Sequence, residues 1–391
     1  MYLIKNANLI SMKDINYKIT DILIDEGKIK AIGKIDGKDY LDAVVIDADK
    51  RFVTPGIVDP HCHIGVYEEA IGFEGTDVNE MTNPVFPELR AIDAVKPQDV
   101  AFREALEAGV TTVCTGPGSA NVIGGTFCVL KTFGQTVDDM VVVKESSMKM
   151  ALGENPKRIY NGKAQSPSTR MASAALIREA LTKAKEYQAK KEKYNRDLAE
   201  GKEANKPEFN MKWESLARVF SGFPVKIHAH QQDDIATAIR IAEEFGLNMT
   251  IEHATEGHLI ADYLVKHDQP VIIGPTLGSK SKYEVRNKTF KAAKILSDKH
   301  VKFAIMTDHP VVHLANALTQ VGIFVREGLL EIEGLRAVTL YAAEINNIQD
   351  RVGSIEIGKD ADIVIWDGHP LHYLTKTDYV FVNGNLVHQK N

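Results

Sequence analysis

Cysteine is scarce in this sequence. Only Cys62, Cys114 and Cys128 occur among 391 residues, and no CxxC pair is formed. That excludes a disulfide framework and a cysteine-built zinc knuckle. Positive charge is not in excess either: the formal net charge is −6. Neither nucleic acid nor an anionic membrane is therefore expected as the main partner. No uncharged apolar run is long enough to span a bilayer. The opening "MYLIKNANLI" has an early lysine but no long apolar core and no small-residue cleavage site, so it reads as a first strand. The expectation is a cytoplasmic protein acting on a small molecule, with self-association left open.

What is present is length and alternation. The 391 residues suit one large barrel or two to three domains, and the 44% apolar content is ordinary for a globular chain. Both ends are β-like. "DILIDEGKIKAIG" and "AVVIDADKRFV" near the start, and "GSIEIGKDADIVIWDG" and "YVFVNGNLVHQ" near the finish, are Ile/Val-rich runs broken by Gly, Asp and Asn. Asn-Gly in the last of these marks a hairpin turn. Residues 1–53 and 350–391 are expected to make one small β-sandwich domain.

Residues 54–349 alternate between strand and helix. "VTTVCTG", "FPVKIHAH", "NMTIEHA", "QPVIIGP" and "VKFAIMTDHP" are strand-like, and stretches such as "KPQDVAFREALEAG" and "DDIATAIRIAEEFG" have helical periodicity and end in glycine. Strand and helix in turn imply parallel strands with crossover helices, and the length fits a (β/α)8 TIM-like barrel in an α/β chain. A doubly wound sheet is the competitor. No GxGxxG opens it, and "GPGSANVIGG" lacks the Lys-Ser/Thr of a phosphate loop. Strands three and four cannot be placed between residues 116 and 168. Near 169–205 the chain turns helical and heavily charged, which predicts a long solvated helix inserted into the barrel with a turn at Gly201. A lid or partner helix is the functional alternative.

The chemistry sits at the strand ends. In "VTPGIVDPHCHIG", His61 and His63 are two residues apart and project from the same face of a strand, with Cys62 opposite. His228 and His230 repeat the spacing, His253 ends the next strand, and Asp308 follows a later one. Loops from all barrel strands converge at one rim. Any one of these histidines alone would read as a core residue. Together, neutral imidazoles and one carboxylate are ligands for a catalytic zinc or a related divalent ion.

With these motifs assembled, the chain resembles the amidohydrolase superfamily. "TPGIVDPHCHIG", the later "KIHAH…IEHA…TDHP" and "GSIEIGKDADIVIWD" carry the resemblance over nearly its whole length. The branch it looks most like holds imidazolonepropionase, related cyclic-amide hydrolases and prolidases. The resemblance implies one or two divalent ions, zinc first, held by His61, His63, His228, His253 and Asp308. It also implies a bridging carboxylated lysine or glutamate in two-metal members, for which Lys149 and Glu154 stand level and Lys144 is weaker. The implied reaction is hydrolysis of an amide or cyclic amide by a metal-activated water. Asp308 would act as general base and then acid, with His253 or His230 steadying the oxyanion.

His230 is read as a substrate contact, and Arg170 and Arg286 as candidates to recognise a substrate carboxylate. His309 is expected to turn away from the site, and His258 and His313 to be structural. Two rival readings remain. A deaminase of an aminated ring would use the same water and aspartate, though "QQD" after His230 offers no glutamate for it. A barrel that has lost catalysis is the other, and the presence of all five motif ligands argues against it.

Overall fold

The computed structural model describes residues 1–14, 17–69 and 71–390; the expected β-domain ranges also include residues 15, 16 and 391, which lie outside the described residues. The N-terminal part gives β1 (Tyr2–Leu9), β2 (Lys18–Asp25), β3 (Lys28–Gly33), β4 (Val44–Asp47) and β5 (Phe52–Pro55). Eight further strands follow: β6 (Ile57–Cys62), β7 (Val110–Thr115), β8 (Ile123–Lys131), β9 (Val141–Ala151), β10 (Val225–Ala229), β11 (Met249–His253), β12 (Val271–Ile273) and β13 (Phe303–Ile305). The chain ends with β14 (Ile363–Trp366), β15 (Thr377–Val382) and β16 (Asn385–Gln389).

The terminal strands form one connected eight-stranded sheet, β16-β15-β14-β5-β1-β2-β3, with β4 beside β1. Its two halves meet where β5 and β14 pair antiparallel, Val53 opposite Ile365 and Pro55 opposite Ile363. Inward apolar side chains from both ends, among them Ile4, Ile22, Ile363 and Phe381, bury one apolar cluster. The Asn383-Gly384 pair turns β15 into β16 with positive φ at both residues (47° and 72°), as a two-residue hairpin of that type requires.

Strands β6 to β13 form the second eight-stranded sheet in sequence order. Its edges approach each other beyond the strand ends, where Asp308 N donates to His61 O and His63 N to His309 O. One expectation is corrected here. The barrel is not uniformly parallel, because β8 runs antiparallel to both β7 and β9. No helix fits between β7 and β8; seven residues join them, and a direct return of the chain must reverse its direction. The Gly-rich "GPGSANVIGG" that hid the third strand is this return. β9 recovers the parallel sense beside β10, so its C-terminal end reaches the same rim as β6, β10 and β11. Interior strands such as β10 and β7 are buried along their entire length, which explains why they read as apolar runs without alternation.

The expected charged helix runs Arg170–Ala199, capped by the Thr169 side chain accepting from Ala172 N. Its first half is not a solvated rod: Ala174, Ile177, Ala180, Leu181, Ala184 and Tyr187 are buried at helical spacing. The second half carries the exposed charges. No helix among the described residues is long and apolar enough to cross a membrane.

A buried ion network joins the two sheets. Lys131 of β8 is 1% exposed at its side chain and reaches Asp362 at 2.6 Å and Asp360 at 3.1 Å. Asp360 is also paired with Lys28 and Arg351, whereas Lys131 is the sole cation on Asp362 among the described residues. Removing one partner of a buried pair strands the other. Lys131→Met is expected to destabilise the protein by about 3–5 kcal/mol in denaturant unfolding, and a loss below about 1 kcal/mol would contradict the assignment.

Candidate metal centre

Each candidate ligand stands at or just past the rim end of a strand. His61 lies in β6 and His63 one residue beyond it; His228 lies in β10, His230 one beyond; His253 ends β11; Asp308 follows β13. The structure brings all six together. The His61 and His63 rings are 5.3 Å apart, His61 and His253 5.6 Å, His228 and His253 4.4 Å. His228, His230 and His253 bring ligand atoms within 4.8 Å of one another, as do His61, His253 and Asp308. His230, expected as a substrate contact, belongs to the imidazole group: its ring stacks on His253 at 4.4 Å, and its Nδ1 is held by Thr255 Oγ1 at 2.7 Å.

The donor set fits a divalent cation. Both ring nitrogens of His228 are buried without a hydrogen-bond partner, and so is Asp308 Oδ1. That oxygen stands 3.2 Å from His63 Nε2 and 3.5 Å from His61 Nε2, yet neither approach makes a hydrogen bond. Orphaned buried polar atoms cost free energy, and several aimed at one space mark a place for an ion. Burial above all pushes the His61, His228 and His230 imidazoles far below their usual range, with neighbouring cationic groups adding to it; His253 falls to about 4 for the same first reason. They are therefore neutral at physiological pH, the form that binds metal. Burial tends to raise Asp308, but His253, His63 and Lys149 around it hold its carboxyl below the ordinary value.

Backbone geometry explains how His253 and Asp308 face inward. Each has positive φ, 72° and 54°. In a regular strand His253 would face away from its neighbour Glu252. The left-handed turn instead lets both reach the interior, where Glu252 Oε2 meets His61 Nδ1 at 2.5 Å. Such φ values in non-glycine residues are uncommon and persist where the surroundings enforce them.

Lys149 and Glu154 separate. Lys149, fully buried in β9, places Nζ 3.4 Å from His61 Nε2. Burial lowers its pKa to about 8, with Glu252 and Asp308 opposing that shift. Glu154 starts the helix Glu154–Asn161 instead, and its amide donates to Glu284 Oε2 at 2.8 Å. Gly153 before it has φ of 80°, and a Cβ there would stand 2.7 Å from that same Glu284 oxygen.

Three residues escaped the sequence reading. Glu252 and Lys226, 3.6 Å apart, lie buried beneath His61, and Lys226 Nζ also donates to Pro60 O. Glu284, from the loop after β12, brings Oε1 to 3.6 Å from His228 Nε2 and 3.5 Å from His230 Nε2, with Lys282 at 2.5 Å. Period-two counting back from His228 would have found Lys226. Nothing in "KSKYEVRN" marks Glu284 over its neighbours.

Beside the cluster an open cleft of about 820 Å³ is lined by Glu154, Lys157, Arg158, Arg170, Gln231 and Arg286, among others. Arg170 is engaged by Asp233 and, at 3.5 Å, by Asp234. Arg286 donates to Gln231 Oε1 at 2.8 Å and lies 3.6 Å from Glu256. Lys157 and Arg158 have no ion-pair partner among the described residues.

The sequence pattern of the amidohydrolase family matches residues 52–388. A crystal structure of an amidohydrolase from Thermotoga maritima superposes with a TM-score of 0.95 at 40% identity, each chain covered completely. Amidohydrolase tasK of Hapsidospora irregularis is 28% identical over 93% of this chain; the chain spans 39% of that longer protein. Imidazolonepropionase of Fusobacterium nucleatum is 25% identical over 94% of this chain and 91% of its own length.

Proposed function

This chain belongs to the amidohydrolase family and is a hydrolase of carbon–nitrogen bonds other than ordinary protein peptide bonds; from that premise we propose its site, its metal and its substrate class. Residues 54–349 are the catalytic barrel, with the insertion near 169–205, and residues 1–53 with 350–391 a β-sandwich domain. The protein works in the cytoplasm, a setting supported by three buried, unpaired cysteines.

His61, His63, His228, His253 and Asp308 hold one or two divalent ions, zinc first. When bound, the metal supplies Lewis acidity that makes a water acidic and a carbonyl electrophilic. Asp308 accepts the proton of the attacking water and returns it to the leaving nitrogen as the C–N bond breaks. His230, stacked on His253 at the same rim, steadies the developing oxyanion, since His253 Nδ1 is already held by the Gly274 carbonyl. The observation that carries this reading is the convergence on His253 of His228 from one side and Asp308 from the other, each buried with an unpartnered ligand atom and each from a part of the chain far away in sequence. Hydrolysis of a panel of cyclic amides, N-acyl amino acids and dipeptides should be lost with chelator and return with added Zn²⁺. Full activity in metal-free protein would sink the reading.

Lys149, once carboxylated, would help hold the metal in the bridging role that the resemblance implies. Its burial favours the neutral amine, whose nitrogen adds to CO2 and loses a proton to leave a carbamate. A carbamate supplies the anionic oxygens that a buried ammonium among imidazoles lacks. Lys149→Ala is expected to lose one equivalent of metal and most activity, with partial rescue by a short carboxylate such as propionate. Unchanged metal content in that variant would count against bridging.

The substrate carries an anionic group. Lys157 and Arg158, joined by the partly engaged Arg170 and Arg286, supply the cations of the adjoining cleft. Deamination is the second reading, and Glu284 favours it by supplying, from another loop, the glutamate that "QQD" lacks. Ammonia release from aminated rings, against ring opening of cyclic amides, separates the two.

A further inference from the structure

A second group of ligand-type side chains lies outside this cluster. Glu69 follows β6, and His309 and His313 follow β13; each brings one ligand atom within 4.8 Å of the others. Glu69 Oε1 stands 3.2 Å from His313 Nε2. Two donors on one tetrahedral ion, with bonds of about 2.0–2.1 Å, sit roughly 3.3 Å apart, so the pair is already at ligand spacing. His309 is 1% exposed, and neither of its ring nitrogens has a hydrogen-bond partner. A buried imidazole left that way is costly, and a ligand bond would satisfy it. Its ring lies 5.6 Å from that of His313, edge to face.

We propose that Glu69, His309 and His313 form a second divalent-cation site on the barrel rim, separate from the proposed catalytic centre. Two imidazoles and a carboxylate suit Zn²⁺, Co²⁺ or Ni²⁺ better than Mg²⁺ or Ca²⁺. His313 is half exposed, so the remaining positions open to water. The three ligands come from stretches that flank His63 and Asp308. An ion held there ties the loop after β6 to the loop after β13 and fixes one side of the rim. The reaction outlined above uses none of the three side chains.

The test is Zn²⁺ titrated into chelator-treated, full-length protein, with bound metal counted by plasma mass spectrometry after gel filtration. Wild-type protein should hold one equivalent more than His313→Ala at the same free Zn²⁺. Glu69→Gln should bind that equivalent at least tenfold more weakly. His228→Ala should keep it, so failure of the catalytic centre and failure of this site read differently. Equal counts in wild type and His313→Ala overturn the proposal, and so does loss of all metal from His313→Ala.

Discussion

Asp308→Asn is expected to lower turnover by about 10²–10⁴-fold, the usual worth of a positioned general base, while bound metal stays close to the wild-type count. Asp308 is buried, held in a left-handed backbone conformation, and presents an unpartnered oxygen near His61 and His63. Asparagine keeps the shape and one oxygen that can still face an ion, but it cannot take a proton from water. Turnover and metal content measured on the same preparation separate the two roles. Near-wild-type turnover would remove Asp308 from proton transfer. Loss of all metal with loss of turnover would make it a ligand first.

Glu252 should give the second large effect, through two substitutions with different readouts. Its carboxylate sits against His61 Nδ1, leaving Nε2 to face Lys149 and Asp308. Partners of this kind behind a metal ligand typically contribute about 10–100-fold in metal affinity or activity, so Glu252→Gln is expected to weaken Zn²⁺ binding by roughly that factor. Glu252→Ala does more. It leaves Lys226, 2% exposed, with the Pro60 carbonyl as its one remaining hydrogen-bond partner among the described residues. Stranding a buried cation costs about 3–5 kcal/mol, which a shift of the unfolding midpoint would record. If Glu252→Ala unfolds like wild type, the Glu252–Lys226 pair does not stabilise the folded barrel.

Much of this candidate centre was legible because period-two strands carry their candidate ligands in pairs. "HCH" and "HAH" each point two imidazoles one way, and each meets its partners at the rim. Alternation also explains what was missed. His253 was found because it ends a strand, but the same rule turns Glu252 away from it, and only the positive φ of His253 brings both inside. A strand pattern carries no sign of that local reversal. The antiparallel β8 was hidden for another reason: its glycines and full burial give neither alternation nor a helical connection to anchor a reading. Glu284 reaches His228 and His230 from a loop where the sequence singled out only Arg286. Which loop side chain turns inward is decided by tertiary contact, here the amide of Glu154. The surrounding cations were legible as residues, but not their engagement by Asp233, Gln231 and Glu256.

The most direct test is anomalous diffraction from crystals of Zn²⁺-reconstituted protein. An ion is expected among His61, His63, His228, His253 and Asp308, with bonds of about 2.0–2.2 Å to the imidazole nitrogens and carboxylate oxygen. Zinc-replete crystals with no anomalous peak in that space, and those side chains paired only with one another, would contradict the account.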